Sequence, residues 1–190
     1  MQVLRSIPEL AQIPGPVFLA IGVFDGVHLG HQAVISTATR HAVEADGTAV
    51  VVTFDPHPAK ILRPEKSPRL LTATQHKISL IRELGVSHLL VLKFDRELAS
   101  TSPEDFVRQL VAAARPLREI CVGQEWSFGK NRAGNLALLQ KLGAEFGFHV
   151  VGVEPVTSQE RIISSTAIRQ AVETGDFAAA RREYGCRNCS

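Results

Sequence analysis

Gly22-Val-Phe-Asp-Gly-Val-His28-Leu-Gly-His31 joins an apolar run, Val17-Phe-Leu-Ala-Ile-Gly-Val23, to the segment Gln32-Ala-Val-Ile-Ser-Thr-Ala-Thr-Arg-His-Ala-Val43. The first run reads as a buried strand and the second as a helix, so the stretch between them is a tight strand-to-helix turn. Its two histidines are three residues apart, and residues at that spacing share one helix face. Backbone N–H groups at a helix N-terminus are unpaired, and the helix dipole adds positive potential there. Glycines let a ligand come close to the backbone. The stretch therefore reads as an anion site with two imidazoles beside it, which suits the phosphates of a nucleotide.

The rest of the chain is consistent with a globular protein. Its 190 residues suit one domain with a real core, and a hydrophobic fraction of 45% with 21% charged residues is ordinary. A net charge of +2 points neither to a nucleic-acid coat nor to a membrane surface. The N-terminus lacks a signal-peptide pattern, and no apolar run is long enough to span a bilayer, so a cytoplasmic protein is expected. Three cysteines argue against a disulfide framework. Cys121, within Ile120-Cys-Val-Gly123, reads as a core thiol. The spacing of Cys186 and Cys189 resembles half a zinc site, but no second half lies nearby, and a loose tail is expected for 185–190.

Strand-like runs alternate with helical patterns. Strands are expected at Val17–Val23, Thr48–Phe54, His88–Phe94, Glu119–Gly123 and His149–Val153. Helices are expected at Gln32–Ala45, Thr74–Leu84, Pro103–Ala114, Asn135–Phe146, Ser165–Glu173 and Phe177–Arg182. β-Branched apolar runs separated by helices predict an α/β fold, a mostly parallel sheet with helices on both faces. Ligands of such sheets sit beyond the C-terminal ends of the strands. Asp25–His31, Asp55–Pro58 and Gln124–Asn131 all fall there. The stretch Lys60–Ala73, with Pro64 and Pro68, is expected to be a mobile loop.

Three further motifs carry chemistry. Arg161-Ile-Ile-Ser-Ser-Thr-Ala-Ile-Arg169 places three hydroxyls where a helix begins. Serine there is an ordinary N-cap, but hydroxyls, free N–H groups and two arginines also make a second phosphate cradle. Thr53-Phe-Asp-Pro-His-Pro58 is a proline-stiffened stretch expected to be an extended, rigid turn. Gly123-Gln-Glu-Trp-Ser-Phe-Gly-Lys-Asn131 follows a strand and lies between glycines, which favours a ligand-facing loop over plain core packing. No third ligand accompanies His28 and His31, so no metal-ligating residues are expected there.

The Phe24-Asp-Gly-Val-His-Leu-Gly-His31 run resembles the HxGH signature of the nucleotidyltransferases, in the longer form of the FAD synthetases. These are the FMN adenylyltransferase modules of bacterial riboflavin biosynthesis proteins. The Ile163-Ser-Ser-Thr-Ala-Ile-Arg169, Phe54-Asp-Pro-His-Pro58 and Gly123–Gly129 stretches resemble the same family, over about Val17 to Arg182. The resemblance implies a Rossmann-like nucleotidyltransferase fold that transfers AMP from ATP to FMN with Mg²⁺, giving FAD and pyrophosphate. It assigns His28, His31, Ser164 and Thr166 to catalysis. Gly22, Phe24, Asp25, Gly30, Arg161, Ser165 and Arg169 go to ATP, and Phe54, Pro56, His57, Pro58, Glu125 and Phe128 to FMN. Glu125 departs from the family, which usually has Asp or Asn in that slot.

Residues 1–184 are expected to form the adenylyltransferase domain. Family members usually continue into a riboflavin kinase barrel whose Pro-Thr-Ala-Asn run this sequence lacks. FMN is therefore expected from a separate riboflavin kinase, unless the kinase module is missing because the sequence is truncated. Two other readings stay open from sequence: a flavin- or nucleotide-binding module with little turnover, and an HxGH transferase with another phosphate acceptor.

Overall fold

The computed structural model describes residues 1–158 and 161–184. Cys186 and Cys189 lie outside the described residues. The strands β1 (Gln2–Leu4), β2 (Val17–Ile21), β3 (Thr48–Asp55), β4 (His88–Lys93), β5 (Leu117–Gly123) and β6 (His149–Val153) form one sheet. Its order is β1-β4-β3-β2-β5-β6, and every neighbouring pair is parallel. A two-stranded antiparallel ribbon, β7 (Thr157–Ser158) and β8 (Arg161–Ile162), stands apart from it. The α/β fold expected from the alternating pattern is present.

The helices are α1 (Leu29–Glu44), α2 (Pro58–Leu62), α3 (Thr74–Glu83), α4 (Arg96–Ser100), α5 (Pro103–Ala113), α6 (Leu136–Phe146), α7 (Ser165–Glu173) and α8 (Phe177–Tyr184). Strand side chains alternate between the two sheet faces. Ala20, Val51, Leu89 and Cys121 pack with Val34, Ile35 and Ala38 of α1 and with Ile78 and Ile81 of α3. Leu19, Ile21, Val52, Leu90 and Ile120 pack with Phe106, Val107 and Leu110 of α5 and with Leu139 and Leu142 of α6. Two apolar faces on the central strands explain their nearly unbroken hydrophobic runs.

Beyond β2 the chain turns to β3 on one side, while β5 pairs with β2 on the other. The C-terminal end of β2 is therefore the switch point of the sheet, where ligands of this architecture bind. Most element boundaries match the sequence pattern. Ser102 and Asn135 cap α5 and α6 by accepting from Asp105 N–H and Leu138 N–H. Gly175, at φ 77°, follows α7 as expected of a helix stop.

The stretch at Asp55–Pro58 differs from the extended turn expected of it. The Asp55–Pro56 peptide is cis, and Pro58 opens α2, with His57 as its cap. Proline fits the first position of a helix because its missing N–H is not needed there. His57 Nδ1 accepts from Ala59 N–H at 3.1 Å, which completes the start of the helix. The stretch Lys60–Ala73, expected to be a mobile loop, contains the end of α2 and a 3₁₀ turn at Pro64–Lys66. Its far end is fastened to the β2–α1 turn through Leu71 and Thr72.

Candidate functional site

Two helix N-termini meet at the end of β2. At α1, Gln32 N–H bonds to the His28 carbonyl at 2.9 Å, leaving the N–H groups of 29–31 without helical acceptors. At α7, Ser164 Oγ accepts from Ala167 N–H and Ile168 N–H bonds to the Ser164 carbonyl. Ser165 Oγ donates to the Asp25 carbonyl at 3.0 Å and holds the start of α7 against the turn. Gly30 packs close to the His28 ring, where a Cβ would stand 3.2 Å from Cε1. Two helix starts side by side concentrate positive potential and N–H donors in one place.

The turn itself is strained. Phe24, Gly26 and Val27 have φ values of 51°, 87° and 44°. A β-branched residue in the left-handed region is rare and costs roughly 1–3 kcal/mol. The Asp25 carboxylate offsets that strain. It accepts from Leu71 N–H at 3.0 Å and Thr72 N–H at 3.1 Å, and pairs with the Arg169 guanidinium at 2.6 Å. Arg169 Nε also donates to the Arg69 carbonyl at 2.7 Å. Asp25 and Arg169, both expected on ATP, are thus bonded to each other.

The His28 and His31 rings stack with centroids 3.6 Å apart and planes 21° apart. Nδ1 of each ring is shielded from water and has no hydrogen-bond partner among the described residues. Such atoms in a folded protein call for an explanation, and a ligand is one. Burial pushes the His28 pKa down to about 4, against the opposing pull of Asp25. His31 is partly exposed as a residue, but its ring stands in dense packing. That burial, then the neighbouring His28 and Lys77, hold its pKa well below the usual histidine range. Both rings are therefore neutral at pH 7, each with one N–H to donate.

Phe24 lies beneath the turn. Its ring is fully buried and meets His31 edge-on at 5.3 Å, so its place is packing under the histidines. Gly22 makes room for that ring, since a Cβ there would stand 2.6 Å from Phe24 Cε1. Thr166 is exposed in the first turn of α7, and Arg161 is exposed on β8.

Beside this phosphate-like cradle runs a cleft of about 730 Å³. Of the residues assigned to FMN from sequence, Phe54, His57, Pro58, Glu125 and Phe128 line it and Pro56 does not. Trp126 stacks on Phe128 at 4.5 Å with planes 10° apart, and Phe54 meets Phe94 edge-on at 5.8 Å. Gly129, at φ 70°, lets the loop press on Pro103, where a Cβ would stand 2.6 Å from a ring carbon. Glu125 is exposed at the rim. Phe94 and Phe106, given no chemistry from sequence, also line the cleft.

Lys77, which the sequence does not single out, stands between the turn and the cleft. Its buried ammonium donates to the Val23 carbonyl at 3.1 Å, Thr53 Oγ1 at 3.0 Å and the Phe54 carbonyl at 3.1 Å. Burial lowers its pKa to about 8, while Asp25 and Asp55 pull it back up. One side chain thus ties the chain entering the phosphate turn to the chain entering the cleft wall. The signal was its place four residues before Ile81, on the apolar face of α3.

Residues 10–167 match the family model described as FAD synthetase. The bifunctional riboflavin kinase/FMN adenylyltransferase of Escherichia coli K12 is 33% identical over 186 residues, covering 97% of this chain and 59% of that protein. The protein of the same name from Bacillus subtilis is 38% identical over 164 residues, covering 85% of this chain and 51% of that protein. The chain thus spans between half and three-fifths of the length of these relatives. A solved Streptococcus pneumoniae structure, described as a macrolide-efflux protein, superposes with a TM-score of 0.78 at 25% identity. It covers 98% of this chain and 60% of its own. Pantoate-beta-alanine ligase from Francisella tularensis shares the fold, with a TM-score of 0.55 at 14% identity over 97% of this chain and 85% of its own. With its two converging helix starts, its stacked histidine pair and its aromatic cleft, the chain belongs to the FAD synthetase family.

Proposed function

We propose that this chain is an FMN adenylyltransferase, moving AMP from ATP to FMN and releasing pyrophosphate. The observation that carries the reading is adjacency. Val23 borders the aromatic cleft and directly precedes the turn whose end bears the histidine pair. A flat ring system in the cleft can therefore send its phosphate toward the two helix starts. Trp126, Phe128, Phe54 and Phe94 supply the apolar and aromatic surface that an isoalloxazine needs.

In the proposed reaction an oxygen of the FMN phosphate bonds to the α-phosphorus of ATP. The bond from that phosphorus to the bridging oxygen breaks, and pyrophosphate leaves with the electron pair. No protein nucleophile is needed, so the work is positioning and stabilisation of charge. In this reading His28 and His31 donate N–H groups to the transferring phosphoryl group, and the open N–H groups of α1 and α7 hold the flanking phosphates. Thr166 adds a hydroxyl at the start of α7. Asp25, Arg169 and Lys77 set the geometry through the bonds described above. Mg²⁺ arrives as the counter-ion of ATP. The Asp25 carboxylate is already taken up by N–H groups and Arg169, which suits an ion held mainly by phosphates.

The unit proposed to act is residues 1–184, in the cytoplasm, with FMN as the phosphate acceptor. Incubation with ATP, Mg²⁺ and either FMN or riboflavin, with chromatographic separation of products, tests this. FAD from FMN and nothing from riboflavin is the expected result. No FAD above an enzyme-free blank overturns the activity. FMN formed from riboflavin overturns the assignment of these residues to adenylyl transfer alone.

A further inference from the structure

At the other end of α1, about 15 Å along the helix from His31, a second cluster of reactive side chains stands outside the cleft and the phosphate cradle. His41 Nδ1 lies 2.7 Å from Glu119 Oε1, and Cys121 Sγ donates to the same oxygen at 3.2 Å. One ligand atom from each residue fits within 4.8 Å of the others. Glu119 and Cys121 are two residues apart on β5, so both face α1. Glu119 is 8% exposed and Cys121 is completely buried, whereas the His41 side chain keeps 24% of its surface in water.

The surroundings make this set unusual. Its neighbours on the same sheet face, Ala20, Val51 and Leu89, are apolar and fully adequate for packing under α1. A carboxylate there is costly to bury and needs a compensating partner. Burial, reinforced by Glu119, pushes the Cys121 thiol pKa far above its ordinary value, so the thiol is no nucleophile as it stands. A thiolate, an imidazole and a carboxylate converging on one point are instead the donor set of a borderline-soft divalent ion.

We propose that His41, Glu119 and Cys121 form a binding site for a divalent transition-metal ion of the zinc type. On binding, the thiol proton passes to solvent and metal bonds form to Sγ, Nδ1 and a Glu119 oxygen. His41 binds as the neutral imidazole, with Nδ1 as the ligand atom and its single proton on Nε2 at the exposed side. A doubly charged cation then meets one thiolate and one carboxylate, so the buried site is neutral. The half-exposed His41 side admits a water as fourth ligand. The ion would clamp the C-terminal half of α1 to β5, a structural role separate from nucleotide chemistry.

Titration of residues 1–190 with Co²⁺, followed by near-ultraviolet thiolate-to-cobalt absorption, tests the site. The wild type is expected to develop the band to one equivalent and lose it when Zn²⁺ is added. The double variant Cys186→Ser/Cys189→Ser, which removes the tail thiols, is expected to keep it. Cys121→Ser is expected to abolish it. His41→Ala, at a partly exposed position, is expected to weaken Co²⁺ binding at least tenfold with an unchanged far-ultraviolet circular dichroism spectrum. Absence of the band in the wild type, its loss in the tail variant, or full affinity in His41→Ala overturns the proposal.

Discussion

The Asp25 carboxylate and the Arg169 guanidinium pair at 2.6 Å across 144 residues of sequence, with side chains 5% and 15% exposed. The pair joins the turn after β2 to α7 and so holds both halves of the phosphate cradle in register. Removing one partner of a buried pair leaves the other charge uncompensated, which costs about 3–5 kcal/mol. Asp25→Ala is expected to lose stability on that order, because it also frees the N–H groups of Leu71 and Thr72. Urea unfolding of the two proteins at pH 7 measures it, and a loss under about 1 kcal/mol would show that the pair is incidental.

For the histidines, substitution is expected to slow turnover more than it weakens FMN. Their rings stack at the start of α1 and do not line the aromatic cleft. Losing one preorganised donor to a developing charge typically costs roughly 2.7–4 kcal/mol, or about 10²–10³ in rate. Steady-state kinetics of His28→Ala and His31→Ala, with FMN affinity measured by titration, checks this. Near-full turnover in either variant would make that ring structural.

Acid is expected to weaken the fold through His28. Its pKa is near 4 in the folded protein against 6.5 ordinarily, with burial the main cause. Between those values the unfolded chain binds more protons, so stability falls as pH drops from about 6.5 toward 4 and is flat above that window for this group. The slope is about 1.4 kcal/mol per pH unit for one proton. His31 and His57 are shifted in the same direction. Denaturant unfolding between pH 4 and 7 is expected to show a shallower slope in His28→Gln than in the wild type, and equal slopes would count against burial of a neutral ring.

At the cleft rim, Glu125→Asn is expected to change FMN affinity and leave an unreactive ATP analogue nearly untouched. Glu125 borders the aromatic cleft and takes no part in the α1–α7 cradle. Removing a carboxylate from the mouth of a site for a phosphorylated flavin favours tighter binding. Calorimetric titration of both proteins with each ligand decides it. A change confined to the ATP analogue would assign this loop to the wrong substrate.

Local sequence carried much of this arrangement because local physics decided it. The glycine-rich turn before a helix, the serine start of α7 and the apolar runs of β2, β3 and β5 each announce themselves within a few residues. β1 did not, because Gln2–Leu4 is three residues long and becomes a strand only by pairing with β4. Lys77 reads as an ordinary helix lysine until three acceptors from two other segments surround it. Asp25 reads as a ligand to phosphate, yet its partners come from the stretch before α3 and from α7. Cys121 reads as a core thiol, and only the packing of α1 on β5 brings Glu119 and His41 to it. What escaped the sequence was in each case a contact between distant segments.

The same pair also sets an order on how the protein is born. The turn bearing Asp25 leaves the ribosome 144 residues ahead of its counter-ion. At about 5–20 residues per second that interval is roughly 7–30 s. During it the nascent chain can gather β2, α1 and β3, but it carries a carboxylate with no guanidinium to meet it. The proposed phosphate cradle therefore closes only once α7 has emerged and docked, and a chain still short of Arg169 carries no finished site.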